Sequence, residues 1–277
     1  VWMGDEDFVD VPTEGLLNDD YIAMRSALIN PDARQADVEA DDPRPFEMAA
    51  LKTDSKLAAV SPDIQKGVNT THFTIVDREG NIVSYTTTIE ASWGTGLMVP
   101  GYGFLLNNEL TDFNFVPALS ADPSNFNPGA NDVAPNKRPR SSMSPTMVFH
   151  GKQPVAAYGS PGGSTIIDSV VGISINLIDH GMDVQEAVDA PRVAQTSANG
   201  SVRREIGFSE AVTQELETLG HTLLKPADIG SIQAVVIDRR GKLQYGAADR
   251  RRIGAVVTLR SGEIADKGKA KNKTKED

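Results

Sequence analysis

The sequence predicts an α+β fold in which β-sheets form a sandwich covered by helices. Two observations lead to this prediction. Segments rich in β-branched and aromatic residues pair across short turns, first within 72–89 and again within 146–158. Segments with apolar residues at helical spacing follow between 164 and 219, and further strand-like segments come after them.

The predicted strands are arranged mostly as hairpins. Short turns that contain glycine separate the two halves of each pair, as Gly80 and Gly151 show. The predicted hairpins join 72–77 to 81–89, 146–149 to 154–158 and 231–237 to 243–245, and single strands are predicted at 104–106 and 255–259.

The longest predicted helix runs from Ser164 to His180. Apolar residues cover a broad face of it, and Gly181 stands where a helix C-cap is expected. Because this segment has few polar positions, it is expected to be buried between layers. Shorter helices are predicted at 184–188 and 209–219, and another is predicted to start at the cap residue Asn18.

The chain divides into three parts by composition. Residues 1–69 contain 15 Asp and Glu against 6 Lys and Arg, and are interpreted as an acidic arm that does not fold alone. Residues 70–260 carry the strands and helices and are interpreted as the catalytic unit. Residues 261–277 contain five lysines and almost no apolar side chains, which predicts a disordered polar tail.

Composition excludes several function classes. The formal net charge is −11, so nucleic acid and anionic membrane surfaces are not expected partners, and no apolar run is long enough for membrane insertion. Cysteine is absent, which excludes thiolate chemistry. The four histidines follow no metal-ligand spacing, and neither a nucleophile elbow of the GxSxG type nor a phosphate-binding loop is present. The sequence predicts no metal and no cofactor.

Two local features of the sequence contain residues of the kinds that catalytic sites use. The glycine-rich segment 159–164 lies between a predicted strand and the longest helix, where backbone N–H groups can hold an anion. Such turns are also often glycine-rich for steric reasons alone. Thr70 stands between the acidic arm and the first strand, and a threonine that becomes an N-terminus has its own α-amine as a base. Taken alone, Thr70 and Thr71 can equally be ordinary strand residues.

Four motifs in order resemble the small subunit of γ-glutamyltranspeptidases, from residue 70 to about 260. They are TTHFTIVDREGNIVSYTTT, GFLLNNELTDF, NKRPRSSMSPT and GSPGGS. The preceding residues resemble the end of the large subunit of that family. The resemblance implies a four-layer αββα sandwich of the N-terminal-nucleophile hydrolase type. It also implies autocatalytic cleavage between Asn69 and Thr70.

The resemblance assigns a role to nine residues. It implies a nucleophile and N-terminal amine at Thr70, a hydroxyl partner at Thr88, oxyanion donors at Gly162 and Gly163, ligands of the substrate α-carboxylate at Ser141 and Ser142, and acceptors of the α-ammonium at Glu90, Glu109 and Asp112. In the family, an arginine of the large subunit pairs with the α-carboxylate. The missing large-subunit portion is therefore an expected partner, and the 277 residues alone are expected to be inactive.

The implied activity is γ-glutamyl transfer or hydrolysis through a threonyl acyl-enzyme. Glutathione and related γ-glutamyl amides are the expected donors, with an amino acid, a peptide or water as acceptor. One alternative is a related acylase that acts on glutaryl-β-lactams or poly-γ-glutamate, and another is a truncated non-catalytic remnant of the fold. Members of the family are usually exported, so the resemblance implies a periplasmic or extracellular location.

Overall fold

The computed structural model describes residues 2–35, 40–47, 69–114, 129–196, 200–238 and 243–258. The helices of this part are α1 (Thr13–Leu16), α2 (Asp19–Ser26), α3 (Ile166–Ile178), α4 (Val184–Asp189) and α5 (Glu210–Thr218). Its strands are β1 (Thr70–Val76), β2 (Ile82–Thr88), β3 (Thr146–His150), β4 (Gln153–Gly159), β5 (Val193–Ala194), β6 (Ser201–Arg204), β7 (Thr222–Leu223), β8 (Gln233–Asp238) and β9 (Leu243–Ala248). Short 3₁₀ turns occur at Arg44–Phe46, Glu109–Asp112 and Gly163–Thr165.

The centre of the fold is an antiparallel four-stranded sheet with the order β3-β4-β8-β9. The β1–β2 hairpin packs on one face of this sheet, and α3 and α4 pack on the other. Alternation along β4 separates the two faces. The Tyr158 hydroxyl is hydrogen-bonded to Ser174 of α3 at 2.6 Å, whereas a Cβ on the next residue, Gly159, would lie 2.5 Å from the His72 ring of β1. The α+β prediction is therefore confirmed.

The main hydrophobic core lies between the four-stranded sheet and the helices α3 and α4. Apolar burial of this kind is the principal favourable term in folding. The fully or almost fully buried members of this core are Ala156, Tyr158, Ile166, Val170, Ile173, Val184, Ala187, Val188, Ile232, Ala234 and Ala247.

Helix α3 is less enclosed than its composition predicts. Ile166, Val170 and Ile173 are buried against the sheet, but Ile167 and Val171 on the opposite face are about half exposed. The expected burial between two layers is therefore wrong for the described residues. A second apolar surface, on the outer side of the hairpin, is also exposed in this part of the chain and comprises Phe73, Ile75, Val83 and Tyr85.

Two predicted strands do not form. The segment 104–106 forms a single bridge, between Leu105 and Met98, and no strand, and the intervening Gly101 and Gly103 adopt positive φ and turn the chain. Described residues 255–258 form no strand, although Val256 lies against Gly246 of β9. The small sheet β5-β6-β7 was not predicted, because strands of two to four residues are too short to show alternation.

The acidic segment before residue 69 is attached to the rest of the chain at several points. The carboxylate of Asp5 is buried and accepts hydrogen bonds from the side chain and the backbone N–H of Arg138, which hold the pKa of Asp5 well below its usual range. The N–H of Arg34 donates to the carbonyl of Leu219 at 2.7 Å. A segment boundary at residue 69 remains a sequence-based prediction, and the predicted tail at 261–277 lies outside the described residues.

A group of four charges, three of them buried, joins α4, β6 and the end of β9. Arg192 contacts Asp249 at 2.7 Å, and Arg251 contacts Glu205 at 2.5 Å and Asp249 at 3.1 Å. The two guanidinium groups also donate to the carbonyl of Val188 near the end of α4. This cluster satisfies helix-end carbonyls that would otherwise lack partners.

Candidate active site

A small polar cavity lies beside the end of the hairpin where β1 begins and β2 ends. It also borders the glycine turn that leads into α3 and the loop that precedes β3. The residues that form its walls are Thr70, Thr88, Glu90, Glu109, Asp112, Arg140, Ser141, Ser142, Met143, Gly163, Ser164 and Ile166.

Eight of the nine residues singled out from the sequence therefore line one cavity, although they come from five separate segments. The ninth, Gly162, is adjacent to the lining residue Gly163, and its carbonyl accepts hydrogen bonds from the N–H and the hydroxyl of Thr165. Arg140 was not anticipated as a cavity residue. Its neighbours in sequence, Ser141 and Ser142, were the only signal of its position.

Thr70 and Thr88 are paired directly across the hairpin, so their side chains lie on the same face. The Thr70 hydroxyl donates to Oγ1 of Thr88 at 3.1 Å. Oγ1 of Thr88 also accepts from the N–H of Glu90 at 2.9 Å, and its own proton points to the carbonyl of Asn69 at 3.4 Å. One hydroxyl thus contacts both the proposed nucleophile and the carbonyl of the preceding peptide bond.

Asn69 is held from two directions in the intact chain. Its N–H donates to the carbonyl of Glu90 at 3.4 Å, and its side-chain amide donates to Oγ of Ser92 at 2.9 Å. These contacts fix the residue that precedes Thr70. The peptide bond between the two residues is therefore presented to the cavity in a defined orientation.

The glycine turn between β4 and α3 has a backbone that other residues rarely adopt. Gly162 has φ 148° and Gly163 has φ 58°. Within the described part of the chain, the N–H groups of these two glycines donate no hydrogen bond, and Gly163 lines the cavity. Buried Ser160 supports the turn, since its Oγ donates to the carbonyl of Pro161 and accepts from the N–H of Ser231 at 2.9 Å.

The acidic wall of the cavity depends on asparagines that were not singled out from the sequence. Glu90 has φ 66°, a conformation that is uncommon for residues other than glycine. The side-chain amide of Asn108 donates to the carboxylate of Glu90, and its Oδ1 accepts from the N–H of Ala91 at 2.8 Å. Glu109 and Asp112 follow within one 3₁₀ turn. The local sequence gives no sign of this bridging role beyond the adjacency of Asn108 to Glu109.

Buried Asn131 connects opposite walls of the cavity. Its side-chain amide donates to the carbonyl of Asp112 at 2.6 Å, and its Oδ1 accepts from the N–H of Arg140 at 2.8 Å. The acidic wall and the wall that carries Ser141 and Ser142 are thereby held at a fixed separation. Nothing in the sequence around Asn131 indicates this bridge, because it joins residues 19 and 9 positions away.

His72 lies two residues from Thr70 on the same face of β1, and it is buried between the hairpin and β4. Its Nδ1 is 2.7 Å from Oγ1 of Thr86, and its Nε2 is 3.2 Å from Oγ1 of Thr74. Burial lowers the pKa of His72 to about 4. The imidazole is therefore neutral near pH 7 and acts as a spacer between the hairpin and the start of the glycine turn at Gly159.

Protonation of His72 is expected to destabilise the fold in acid. The unfolded chain takes up this proton near pH 6.5 and the folded chain only near pH 4. The contribution of neutral His72 to the free energy of unfolding is therefore fully present above about pH 6.5 and declines as the pH falls from 6.5 to 4. We expect His72→Asn to reduce the loss of unfolding free energy over this range, measured by urea denaturation at several pH values. His150→Gln, at an exposed histidine of β3, is the matched control. An unchanged pH dependence in His72→Asn would contradict this expectation.

Sequence comparison identifies a family whose profile includes all the cavity residues. The family profile described as gamma-glutamyltranspeptidase matches residues 1–259. The chain belongs to the γ-glutamyltranspeptidase family. Its similarity to members of this family extends through the acidic segment before Thr70 as well as the strands and helices after it.

Relatives of this chain are named for different activities. The glutathione hydrolase proenzyme of Bacillus subtilis (strain 168) is 44% identical over 259 residues, which are 93% of this chain and 42% of that protein. The acylase ACY 1 proenzyme of Pseudomonas sp. (strain SE83) is 34% identical over 270 residues, 97% of this chain and 42% of that protein. The chain thus spans less than half the length of these relatives.

A crystal structure of the Helicobacter pylori γ-glutamyltranspeptidase T380A mutant matches with a TM-score of 0.59 at 38% identity. The match covers 66% of this chain and all of that one. The predicted fold of the N-terminal-nucleophile hydrolase type is confirmed by this similarity. Among the described residues, no group of three or more His, Asp or Glu is placed to hold a metal, and none of the helices is long and apolar enough to cross a membrane.

Proposed function

We propose that this chain carries the catalytic site for γ-glutamyl transfer or hydrolysis, acting on glutathione and related γ-glutamyl amides. The observation that carries the proposal is the cavity shared by Thr70, Thr88, the glycine turn and two walls of opposite chemistry. A nucleophile, oxyanion donors and a site for a zwitterionic group are the parts that this reaction requires.

The proposed maturation begins with the Asn69–Thr70 peptide bond. The Thr70 hydroxyl attacks the Asn69 carbonyl carbon, and the peptide C–N bond breaks as the nitrogen takes a proton. The result is an ester to Thr70 and a free α-amine on the same residue. Water then hydrolyses the ester, which leaves Thr70 as an N-terminus. The 3.4 Å contact from Thr88 to the Asn69 carbonyl oxygen supports this step, because it places a donor where negative charge develops.

Proposed turnover uses the same hydroxyl. Thr70 Oγ1 attacks the γ-carbonyl carbon of the donor, while the hydroxyl proton passes to the Thr70 α-amine. The N–H groups of Gly162 and Gly163 stabilise the resulting oxyanion. The donor C–N bond breaks, the leaving amine takes the proton, and an acyl-enzyme ester remains. Water or the amine of an amino acid or peptide then resolves this ester and restores the hydroxyl.

The charges of the cavity favour a donor that carries an ammonium group. Glu90, Glu109 and Asp112 place three carboxylates around one small space, which suits a cation better than an apolar or anionic chain. The alternative reaction, acylase chemistry, has support from the similarity to the acylase ACY 1 proenzyme. A glutaryl group lacks the ammonium, so it leaves these carboxylates without a ligand partner.

Replacing Asp112 with alanine tests the polarity of the donor. We expect kcat/KM for a chromogenic γ-glutamyl amide to fall, with a rise of about 2–4 kcal/mol in the corresponding activation free energy, because a buried ammonium loses a charged partner. The corresponding glutaryl amide, which has no ammonium, is expected to lose much less. Asp179→Ala, at an exposed aspartate at the end of α3, is the control and should leave both substrates unaffected. Equal losses on both substrates would show that Asp112 only supports the structure.

The remaining parts of the proposal concern the whole protein. The large-subunit sequence that relatives have and these residues do not span is the proposed partner of this chain. It is supplied by co-expression in the activity assays. The proposed location is periplasmic or extracellular, in line with the exported character of the family. A chain that shows neither cleavage nor turnover with that portion supplied would instead be the non-catalytic remnant.

A further inference from the structure

The charged groups of the cavity are divided between two walls. Glu90, Glu109 and Asp112 line one wall, and the other is lined by the consecutive residues Arg140, Ser141 and Ser142, one cationic and two with hydroxyl groups. A ligand with an ammonium and a carboxylate on one carbon matches this division. Neutral hydroxyl groups alone would leave its carboxylate without a cationic partner.

The backbone of Arg140 is fixed in place. Its N–H donates to Oδ1 of Asn131 at 2.8 Å, and Asn131 is only 2% exposed. The same asparagine donates to the carbonyl of Asp112. The position from which the Arg140 side chain extends is therefore defined relative to the acidic wall.

The guanidinium of Arg140 is not occupied elsewhere in the described part of the chain. It forms no ion pair there, whereas Arg138, two residues earlier, is bound to Asp5 and Asp7. The two arginines of this segment thus have separate tasks. Arg138 attaches the N-terminal segment, and Arg140 is an exposed residue at the wall of the cavity.

We propose that Arg140 binds the α-carboxylate of the γ-glutamyl group, together with the hydroxyl groups of Ser141 and Ser142. A guanidinium matches the two oxygens of a carboxylate, and hydrogen bonds to charged donors are stronger than those to neutral ones. This inference rests on the proposed function. It supplies from within the chain a cationic partner that the sequence motifs had placed only in the large-subunit portion.

Arg140→Met and Arg140→Lys test the inference in a hydrolysis assay without an amine acceptor. The substrates are a chromogenic γ-glutamyl amide with a free α-carboxylate and the same compound with that carboxylate converted to a carboxamide. We expect Arg140→Met to raise KM for the free acid by about 10–30-fold with kcat changed less than about threefold, and to change KM for the carboxamide less than about threefold. Arg140→Lys should recover part of the loss on the free acid.

Lys137→Met is the matched control, because this cation lies in the same loop but outside the cavity. It should leave KM for both substrates unchanged. Equal effects of Arg140→Met on the two substrates, or no effect on the free acid, would overturn the inference while leaving the proposed function in place. An effect confined to the KM of an amino-acid acceptor would overturn the assignment to the donor. No turnover by the parent protein on either substrate would overturn the proposed function and this inference together.

Discussion

Thr70→Ala is expected to remain uncut at the Asn69–Thr70 bond and to lose at least about a thousandfold in turnover. Alanine has no hydroxyl to attack either the Asn69 carbonyl or a γ-glutamyl donor. Thr70→Ser keeps a hydroxyl at the same position and should retain measurable cleavage and activity. Because the same oxygen is proposed to act in both reactions, the two losses should occur together.

The neighbouring residues provide controls for this prediction. Thr71 points to the opposite face of β1 and is exposed, so Thr71→Ala should cleave and turn over nearly as the parent does. Thr88→Ala removes the hydroxyl that contacts both Thr70 and the Asn69 carbonyl, and it should slow both reactions.

Mass spectrometry of the purified protein and release of a chromogenic amine measure the two reactions separately. The large-subunit portion is supplied in each case. A mature fragment that begins at Thr71 or at another residue would contradict the assignment of Thr70. So would substantial turnover by Thr70→Ala.

Arg192→Met is expected to destabilise the fold by about 3–5 kcal/mol, because it removes the closer of the two arginine partners of the buried Asp249 carboxylate. Arg192 and Asp249 are 7% and 1% exposed and lie 2.7 Å apart. Burial opposes ionisation of Asp249, but the charge of Arg192 and the hydrogen bonds from the backbone N–H groups of Arg251 and Ile232 outweigh it, so the pKa of Asp249 stays below its usual range. The Arg192 guanidinium also donates to the carbonyl groups of Ile229 and Val188, which lose this partner in the variant.

Arg250→Met is the matched control for the ion cluster. The Arg250 side chain is 79% exposed and lies 3.5 Å from Asp189, so its removal should cost less than about 1 kcal/mol. Urea denaturation of both variants measures the difference. Adding Asp249→Asn to Arg192→Met should recover part of the loss, because the amide removes a buried charge that only Arg251 still balances. Equal small effects in the two arginine variants would show that the buried cluster contributes little to stability.

The hairpins and the helices near them were predictable because their signals are local. Alternating β-branched residues and a central turn define β1 and β2, and Asn18 and Ser209 accept hydrogen bonds at the helix starts where the sequence placed caps. The four motifs in order also indicated the family and nine candidate residues. These features depend on residues that are close together in the chain.

The tertiary structure decided how the walls of the cavity are held together. Asn131 joins Asp112 to Arg140, and Ser160 joins the glycine turn to Ser231, 71 residues away. The sequence shows neither connection, although Ser160 lies in the GSPGGS motif, because a single buried amide or hydroxyl looks the same in sequence wherever its partner lies. Tertiary structure also decided that 255–258 forms no strand, since ladder pairing requires a partner edge as well as β-branched residues.

The position of Arg140 was likewise decided by tertiary contacts and not by local sequence. As a sequence feature it is one of several cations in a loop, and its neighbour Arg138 has the same chemistry. Folding pairs Arg138 with the carboxylates of Asp5 and Asp7, which are more than 130 residues away, and leaves Arg140 on the wall of the cavity. The sequence by itself thus determined which chemical groups are present, and only the fold decided which of two equivalent arginines lines the cavity, because long-range pairing binds the other to Asp5 and Asp7.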